Sequence, residues 1–208
     1  MNKTLCRVAL TCALFSSSAQ LFPAEGWRFT LRPEDSRFTV DVGRAGFLKM
    51  FGHDHLIEVR RFGGSVSWEP DAPERTSIHI VVEAASLTVV DEESDEEERA
   101  QIQADMEAKA LDLENHPQIE FVSEATSLKE GGGGYEGRVT GRLTLRGISK
   151  SVTIPLSLAV DGRRLHAQGA FEIKGKDFGV PQVSVAGGSV KTSDDLTLTF
   201  DLVAERDD

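Results

Sequence analysis

Residues 141–155 read Gly-Arg-Leu-Thr-Leu-Arg-Gly-Ile-Ser-Lys-Ser-Val-Thr-Ile-Pro. Two alternations meet in this stretch. Residues 138–145 place Val139, Gly141, Leu143 and Leu145 on one face. Residues 151–160 do the same with Val152, Ile154, Leu156, Leu158 and Val160. Period 2 is the signature of a half-buried strand. The opposite faces carry Arg, Thr, Ser and Lys. One wet face and one dry face argue for antiparallel sheet rather than buried parallel strands.

The same pattern recurs along the chain. It is found at residues 36–42 (Phe38, Val40, Val42), 65–69 (Val66, Trp68) and 77–83 (Ile78, Ile80, Val82). It returns at 118–123 (Ile119, Phe121), 165–173 (Leu165, Ala167, Gly169, Phe171, Ile173) and 195–204 (Leu196, Leu198, Phe200, Leu202). Eight amphipathic strands with turns between them predict a sandwich or a closed barrel. Gly131–Gly134 and Asp161-Gly162 are the clearest turns, because Gly and Asp tolerate positive φ. Gly141 and Gly169 face inward, where glycine marks a bend or a close approach. They and Ala167 are expected to leave space inside. Pro155 lacks a ladder donor, so its strand is expected to lie at an edge or beside a bulge.

One stretch breaks the period. Residues 91–98 are almost all acidic, and Ser94 with Glu97 matches a capping box. Ile102, Met106, Ala110 and Leu113 follow at helical spacing. A helix from about Asp95 to Asp112 is expected, with the acidic run solvated at its start. No Asp-x-Asp-x-Asp-Gly loop accompanies these acids, so they do not read as a calcium site.

The chain has 208 residues, 39% of them hydrophobic, and a net charge of −11. That length fits one domain. Strong acidity argues against a nucleic-acid partner and against electrostatic attachment to anionic membranes. Lys3 and Arg7 precede the apolar run Val8–Phe15, and small residues follow, as in a secretory signal peptide. The run is too short to span a bilayer, which needs about 20 residues. Residues 1–24 are therefore expected to be a signal peptide and 25–208 a single periplasmic domain. Both cysteines, Cys6 and Cys12, fall within the removed segment. Its loss leaves 21 basic against 34 acidic side chains, a net charge of −13.

Motifs for chemistry are sparse. Gly132–Gly137 matches G-x-G-x-x-G, but a strand follows it, so no helix N-terminus is present to receive a phosphate. No G-x-S-x-G elbow is present. No catalytic residue, cofactor or metal is assigned, and the chain reads as a non-enzyme. Gly52-His53-Asp54-His55 stands out. His53 and His55 share parity with the inward-facing Ile57 and Val59, at a separation suited to one metal ion. A third ligand would have to come from His79, His116 or Glu58. Two other readings stay open: hydrogen bonding at an irregular strand start, and the lining of a ligand entrance.

Four segments in order resemble the YceI-like family of secreted lipid- or polyisoprenoid-binding proteins. Residues 141–155 are similar to its "G-x-L-T-[IL]-[KRH]-G-[VI]-[ST]-K-x-V" pattern, and residues 117–123 to "P-x-I-x-F-x-S". Ala85-Ser86-Leu87 and Asp177-Phe178-Gly179-Val180 are similar to "A-S-[IL]" and "D-F-G-[IV]". The resemblance implies an antiparallel, eight-stranded, lipocalin-like barrel with a helix near one end. It also implies a periplasmic carrier holding a long apolar amphiphile, a polyisoprenoid or fatty lipid. The interior residues expected at the ligand are Phe38, Val40, Trp68, Ile80, Phe121, Leu143, Phe171 and Phe200, with His53 and His55 at a polar head. The rival readings are a filled barrel acting through its surface, including a homodimer face, and a His-dependent metal or redox accessory.

Overall fold

A computed structural model describes residues 26–45, 55–92, 94–182, 184–185 and 190–208. Residues 1–24, with the expected signal peptide, and His53 lie outside the described residues. Twelve strands form one sheet: β1 (Trp27–Leu31), β2 (Arg37–Ala45), β3 (His55–Val59), β4 (Phe62–Trp68), β5 (Ser77–Glu83), β6 (Leu87–Val89), β7 (Gln118–Gly131), β8 (Gly134–Leu145), β9 (Ile148–Asp161), β10 (Arg164–Lys174), β11 (Ser184–Val185) and β12 (Val190–Arg206). All pairs are antiparallel.

The six short strands from β1 to β6 combine in pairs as three interrupted staves. β1 and β2 lie end to end along one edge of β12, with Leu31 opposite Ala204 and Phe38 opposite Phe200. β3 with β4, and β5 with β6, make the next two staves. β7, β8, β9, β10 and β12 supply the other five. β12 pairs with β10 on one side and with the first stave on the other. The result is a closed, eight-stranded up-and-down barrel, its ring completed by the pairing of β1 with β12. Each stave contains one of the eight alternations read from the sequence.

The breaks at residues 32–36, 60–61 and 84–86 form a crease across the first three staves. Side chains stitch it. The Ser86 hydroxyl accepts from Arg61 N (2.9 Å) and donates to Arg61 O (3.2 Å). The Ser36 hydroxyl donates to Arg32 O (2.6 Å) and accepts from Val203 N (2.9 Å). These two short side chains satisfy backbone groups that the broken ladder leaves over. The Arg61 guanidinium, bonded to Glu83, holds that carboxyl below its ordinary range.

Two other departures explain where the alternations stop. A bulge between Ser123 and Ala125 shifts β7 by one residue against β8. Inward parity passes from Ile119 and Phe121 to Thr126 and Leu128, so one strand reads as a short one. At Pro155, β9 and β10 separate: their ladder runs from Asp161–Arg164 only to Ser157–Gln168. Beyond that point the turn Gly175–Phe178 packs against β9, with Phe178 buried.

The helix α1 (Glu96–Asp105) starts one residue later than a capping box on Ser94 implies. Asp95 is the cap, and its carboxylate accepts from Glu98 N at 2.9 Å. The Ser94 hydroxyl is buried without a partner among the described residues, while its carbonyl accepts from Arg99. A π-helical turn, Met106–Leu111, follows. Met106 and Leu111 are five residues apart, and the wider turn brings both onto the buried face. Gln103 bonds Leu87 O and Val89 N, both at 2.9 Å, and so covers the outer edge of β6. At the other end of this segment, Arg146 donates to the carbonyls of Lys109 (2.7 Å) and Ala110 (2.9 Å). The helix is thus fixed to the barrel end that carries β6 and the β8–β9 hairpin.

The cap assignment is testable. Asp95→Ala is expected to cost about 1 kcal/mol in urea unfolding. Ser94→Ala is expected to be neutral or slightly stabilising, because it removes a buried hydroxyl with no partner. The reverse order would restore Ser94 as the cap.

Candidate ligand cavity

The two halves of the barrel interior differ. At the end away from the helix, Phe29, Trp68, Val139, Leu165 and Ala204 are all but inaccessible. Trp68 meets Tyr135 edge-on, with ring centroids 4.8 Å apart. Trp27 stands at that rim, 37% exposed, with the Arg206 guanidinium 4.9 Å from its ring centre. This end is packed like an ordinary protein core.

Towards the helix end, inward-facing residues keep partial exposure. Phe38, Val40, Ile80, Ile119, Ala167 and Phe171 all do so. In a closed barrel that exposure belongs to interior space. The space is a cavity of about 140 Å³. Its wall includes Phe38, Val40, Ile80, Phe121, Leu143, Phe171 and Phe200, with Leu31, Val66, Val139, Leu165 and Leu202 at the packed end.

Seven of the eight interior residues expected from the sequence lie on that wall. Trp68 does not. It shares the inward parity but sits one layer too deep, where its ring plugs the closed end against Tyr135. The alternation fixes which way a side chain points. It does not fix the level at which the lumen ends.

The inward glycines do not leave space either. A Cβ on Gly141 would stand 2.6 Å from the Phe121 ring, and one on Gly169 would stand 2.6 Å from the Phe200 ring. The rings lie in notches that the glycines open in the wall. Each phenyl is thereby held against the sheet rather than across the axis, and the axis stays open. Ala167, by contrast, lines the cavity as expected.

Among the described residues, Glu120 is the only polar one on the wall, and its carboxylate bonds His79 Nε2 on the outer face (2.8 Å). The carboxylates whose titration is perturbed belong to the exterior. His166 and Gln168 hold Asp201 below its ordinary range, and the Lys176 backbone N–H does the same for Asp194. Charge decorates the outside and stays out of the lumen. An empty apolar cavity of this size costs about 3 kcal/mol on the scale of core-truncation mutants. Apolar cavities of about this size in other proteins stay dry and take apolar guests.

His55 is not free to ligate with both ring nitrogens. Its Nδ1 lies 2.7 Å from Asp91 Oδ2. Among the described acids of the run, Asp91 is the one that is buried; its side chain is 2% exposed. Its other oxygen accepts from Leu56 N at 2.6 Å. The pair ties the start of β3 to the segment that leads into α1. His79 and Glu58 are engaged elsewhere, with Glu120 and Arg60, and His116 lies near Asp112. Among the described residues, no three His, Cys, Asp or Glu side chains gather as a metal site. No helix among them is long and apolar enough to cross a membrane.

A closed antiparallel barrel with an apolar lumen defines a class of small-molecule-binding folds. Residues 29–204 match the model of the YceI-like domain, and the chain belongs to that family. Curated relatives include a UPF0312 protein of Serratia proteamaculans, 24% identical over 186 residues (86% of this chain, 88% of that one). Another, from Pseudomonas putida strain F1, is 29% identical over 165 residues (78% and 76%). The fold is similar to that of BcnA from Burkholderia cenocepacia (TM-score 0.63, 23% identity, 83% of this chain and 98% of that one). It is also similar to a polyisoprenoid-binding domain from Saccharophagus degradans (TM-score 0.61, 13% identity, 86% and 98%).

The ring-in-notch packing generates a test. Gly169→Ala is expected to lower stability by about 1–3 kcal/mol, because the new methyl meets both the Phe200 ring and Pro155 O. Chemical denaturation measures it. Adding Phe200→Leu should recover part of the loss by removing one of the two collisions. A neutral Gly169→Ala would refute the packing.

Proposed function

We propose that the protein binds and carries a long apolar amphiphile, a polyisoprenoid or a fatty lipid, with its apolar tail in the barrel. The observation that carries this reading is the cavity: an almost wholly apolar wall among the described residues, with the Glu120 carboxylate bonded to His79, and a location inside the barrel rather than on its surface. A buried methylene contributes about 0.8 kcal/mol, so a tail binds usefully without a polar anchor. The name of the Saccharophagus relative, a polyisoprenoid-binding domain, is consistent with that ligand class. Its identity to this chain is too low to carry the ligand across by itself.

The wall residues Phe38, Val40, Ile80, Phe121, Leu143, Phe171 and Phe200 are the proposed tail contacts. Residues 1–24 are proposed as a signal peptide, residues 25–208 as the mature domain, and the periplasm as its site of action. Catalysis forms no part of this role.

Native mass spectrometry of gently purified protein, followed by solvent extraction, tests the reading directly. A stoichiometric long-chain adduct is expected. Ala167→Phe should fill part of the cavity, reduce adduct occupancy at least tenfold and leave the barrel folded by circular dichroism. Ligand added to stripped native protein should raise Tm, because only the folded state has the cavity. A bare mass that no isoprenoid or fatty acid shifts would favour a protein that works through its surface.

A further inference from the structure

Among the described residues, both ends of the cavity are closed. Phe29 and the Trp68–Tyr135 pair close one. At the other, the inward side chains nearest the helix, Val89, Leu145 and Ile173, are buried with Met106 and Leu111, and none of the five lines the cavity. The side wall is different. Beyond Ser157–Gln168 the ladder between β9 and β10 stops, and the residues that flank the parting, Ile154 and Leu156 on β9 and Phe171 on β10, are cavity wall. Leu156 and Phe171 keep partial exposure. The outer edge of β6 also lacks a strand neighbour, but Gln103 covers it. At the β9–β10 seam the turn Gly175–Phe178 packs on β9, with Ile148 against Gly179, yet Ser149, Ser151, Thr153 and Pro155 beside it stay exposed.

The β9 edge presents free backbone donors to this seam. Arg146 and Gly147 form a two-residue hairpin turn with positive φ at both positions (52° and 70°). Leu145 and Ile148 are therefore a hydrogen-bonded pair, and the even-numbered residues from Ile148 to Ile154 bond β8. The odd-numbered residues point their N–H and C=O groups the other way. Those of Ser149, Ser151 and Thr153 have no backbone partner among the described residues. Lys150 stands among them. It shares the inward parity of Val152 and Ile154 and lies opposite Leu143 of the cavity wall. It is exposed. Lys109, Lys174 and Lys176 each pair with an aspartate, whereas Lys150 has no carboxylate partner among the described residues. Glu172, on the facing strand, shares the outward parity of Gln168 and Lys174. The inner lip of the seam thus carries an unpaired positive charge beside a row of backbone donors, in a chain of net charge −11.

We propose that the seam between β9 and β10 is a head-group site for an anion, a carboxylate or a phosphate, held by the Lys150 ammonium and the free N–H groups of Ser151 and Thr153. This rests on the tail-binding reading above. It adds the chemical class of the ligand's polar end and the place where that end leaves the barrel, through the side wall rather than past the helix. Charge-assisted hydrogen bonds are about twice as strong as neutral ones. An alcohol head forgoes them, and a cationic head is repelled by Lys150.

The test compares octanoate, 1-octanol and octylammonium, three probes with one tail and three heads. Their affinities for the delipidated native protein are measured by calorimetry at low salt. Octanoate is expected to bind at least tenfold more tightly than 1-octanol, the yield of one hydrogen bond to a charged group, and octylammonium most weakly. Lys150→Met should abolish the preference and leave the affinity for 1-octanol unchanged. In the native protein octanoate should shift the amide resonances of Ser151 and Thr153 more than those of Lys150 and Val152, whose N–H groups bond β8. Equal native affinities for octanoate and 1-octanol overturn the head-group site and leave tail binding intact. So does a preference that survives Lys150→Met, and so do amide shifts confined to the helix segment. Self-association of the Lys150→Met variant, with no head-group preference in the native protein, would make Lys150 a guard of an open sheet edge instead. Absence of binding by all three probes overturns the tail-binding reading itself, and this site with it.

Discussion

Two phenylalanine rings occupy notches made by two glycines, and the interior of the barrel depends on that contact. Closing eight staves leaves a tube barely wide enough for side chains. The default outcome is a filled tube, as the lower half of this one is. Phe121 and Phe200 are large enough to fill the upper half as well. They do not, because Gly141 and Gly169 lack the Cβ atoms that would hold the rings off the wall. The phenyl area is buried against backbone, and hydrophobic stabilisation is gained without closing the axis. A bulky aromatic can therefore line a cavity without blocking it, provided that a neighbouring strand supplies a glycine at the right register. Here the pairs are adjacent-strand neighbours: β7 with β8, and β12 with β10.

The number of staves, the inward face of the eight alternating runs and the helix were legible in the sequence because each rests on a local period. Alternation needs only two residues to repeat, and each stave holds at least one clean run. What was illegible depended on contacts between distant segments. The crease across the first three staves is held by Ser86 and Ser36, whose partners Arg61 and Val203 lie far along the chain. The bulge after Ser123 reverses parity, so the alternation breaks off while the strand continues. Trp68 had the right direction and the wrong depth. Asp91 looked like one more solvated acid in a run of them, yet it accepts from a backbone N–H and pairs with a histidine at once. No local pattern marks it, because its role is set by β3, more than thirty residues earlier in the chain.

The helix segment is bound to the barrel by polar contacts at both ends. Asp91, Arg99 and Gln103 fix its start, and Arg146 holds the carbonyls at its finish. Between them Met106 and Leu111 bury apolar surface, and the π-helical turn reconciles their five-residue separation with one face. Most of the acids in this segment stay exposed and add nothing to the packing. The consequence is an end of the barrel that is apolar beneath, ringed by hydrogen-bonded polar groups, and negatively charged outside. The opposite end is dry, plugged and neutral within.

That asymmetry separates two properties that a fold family is easily assumed to share. Closure, stave order and the helix position follow from the pattern of alternation, and they are what the similarity to BcnA and to the Saccharophagus domain concerns. The depth of the lumen follows from something finer: the layer at which inward side chains become large enough to meet across the axis. In this chain that layer is set by Val139 and Leu165, which lie on the cavity wall, with Phe29 and the Trp68–Tyr135 pair packed at the closed end. Substituting a few such residues would lengthen or abolish the cavity without altering a single strand pairing. Two proteins with the same barrel can therefore differ in the depth of their lumen, or one can lack a lumen altogether. The space inside any one of them has to be read from its inward residues, not from the topology.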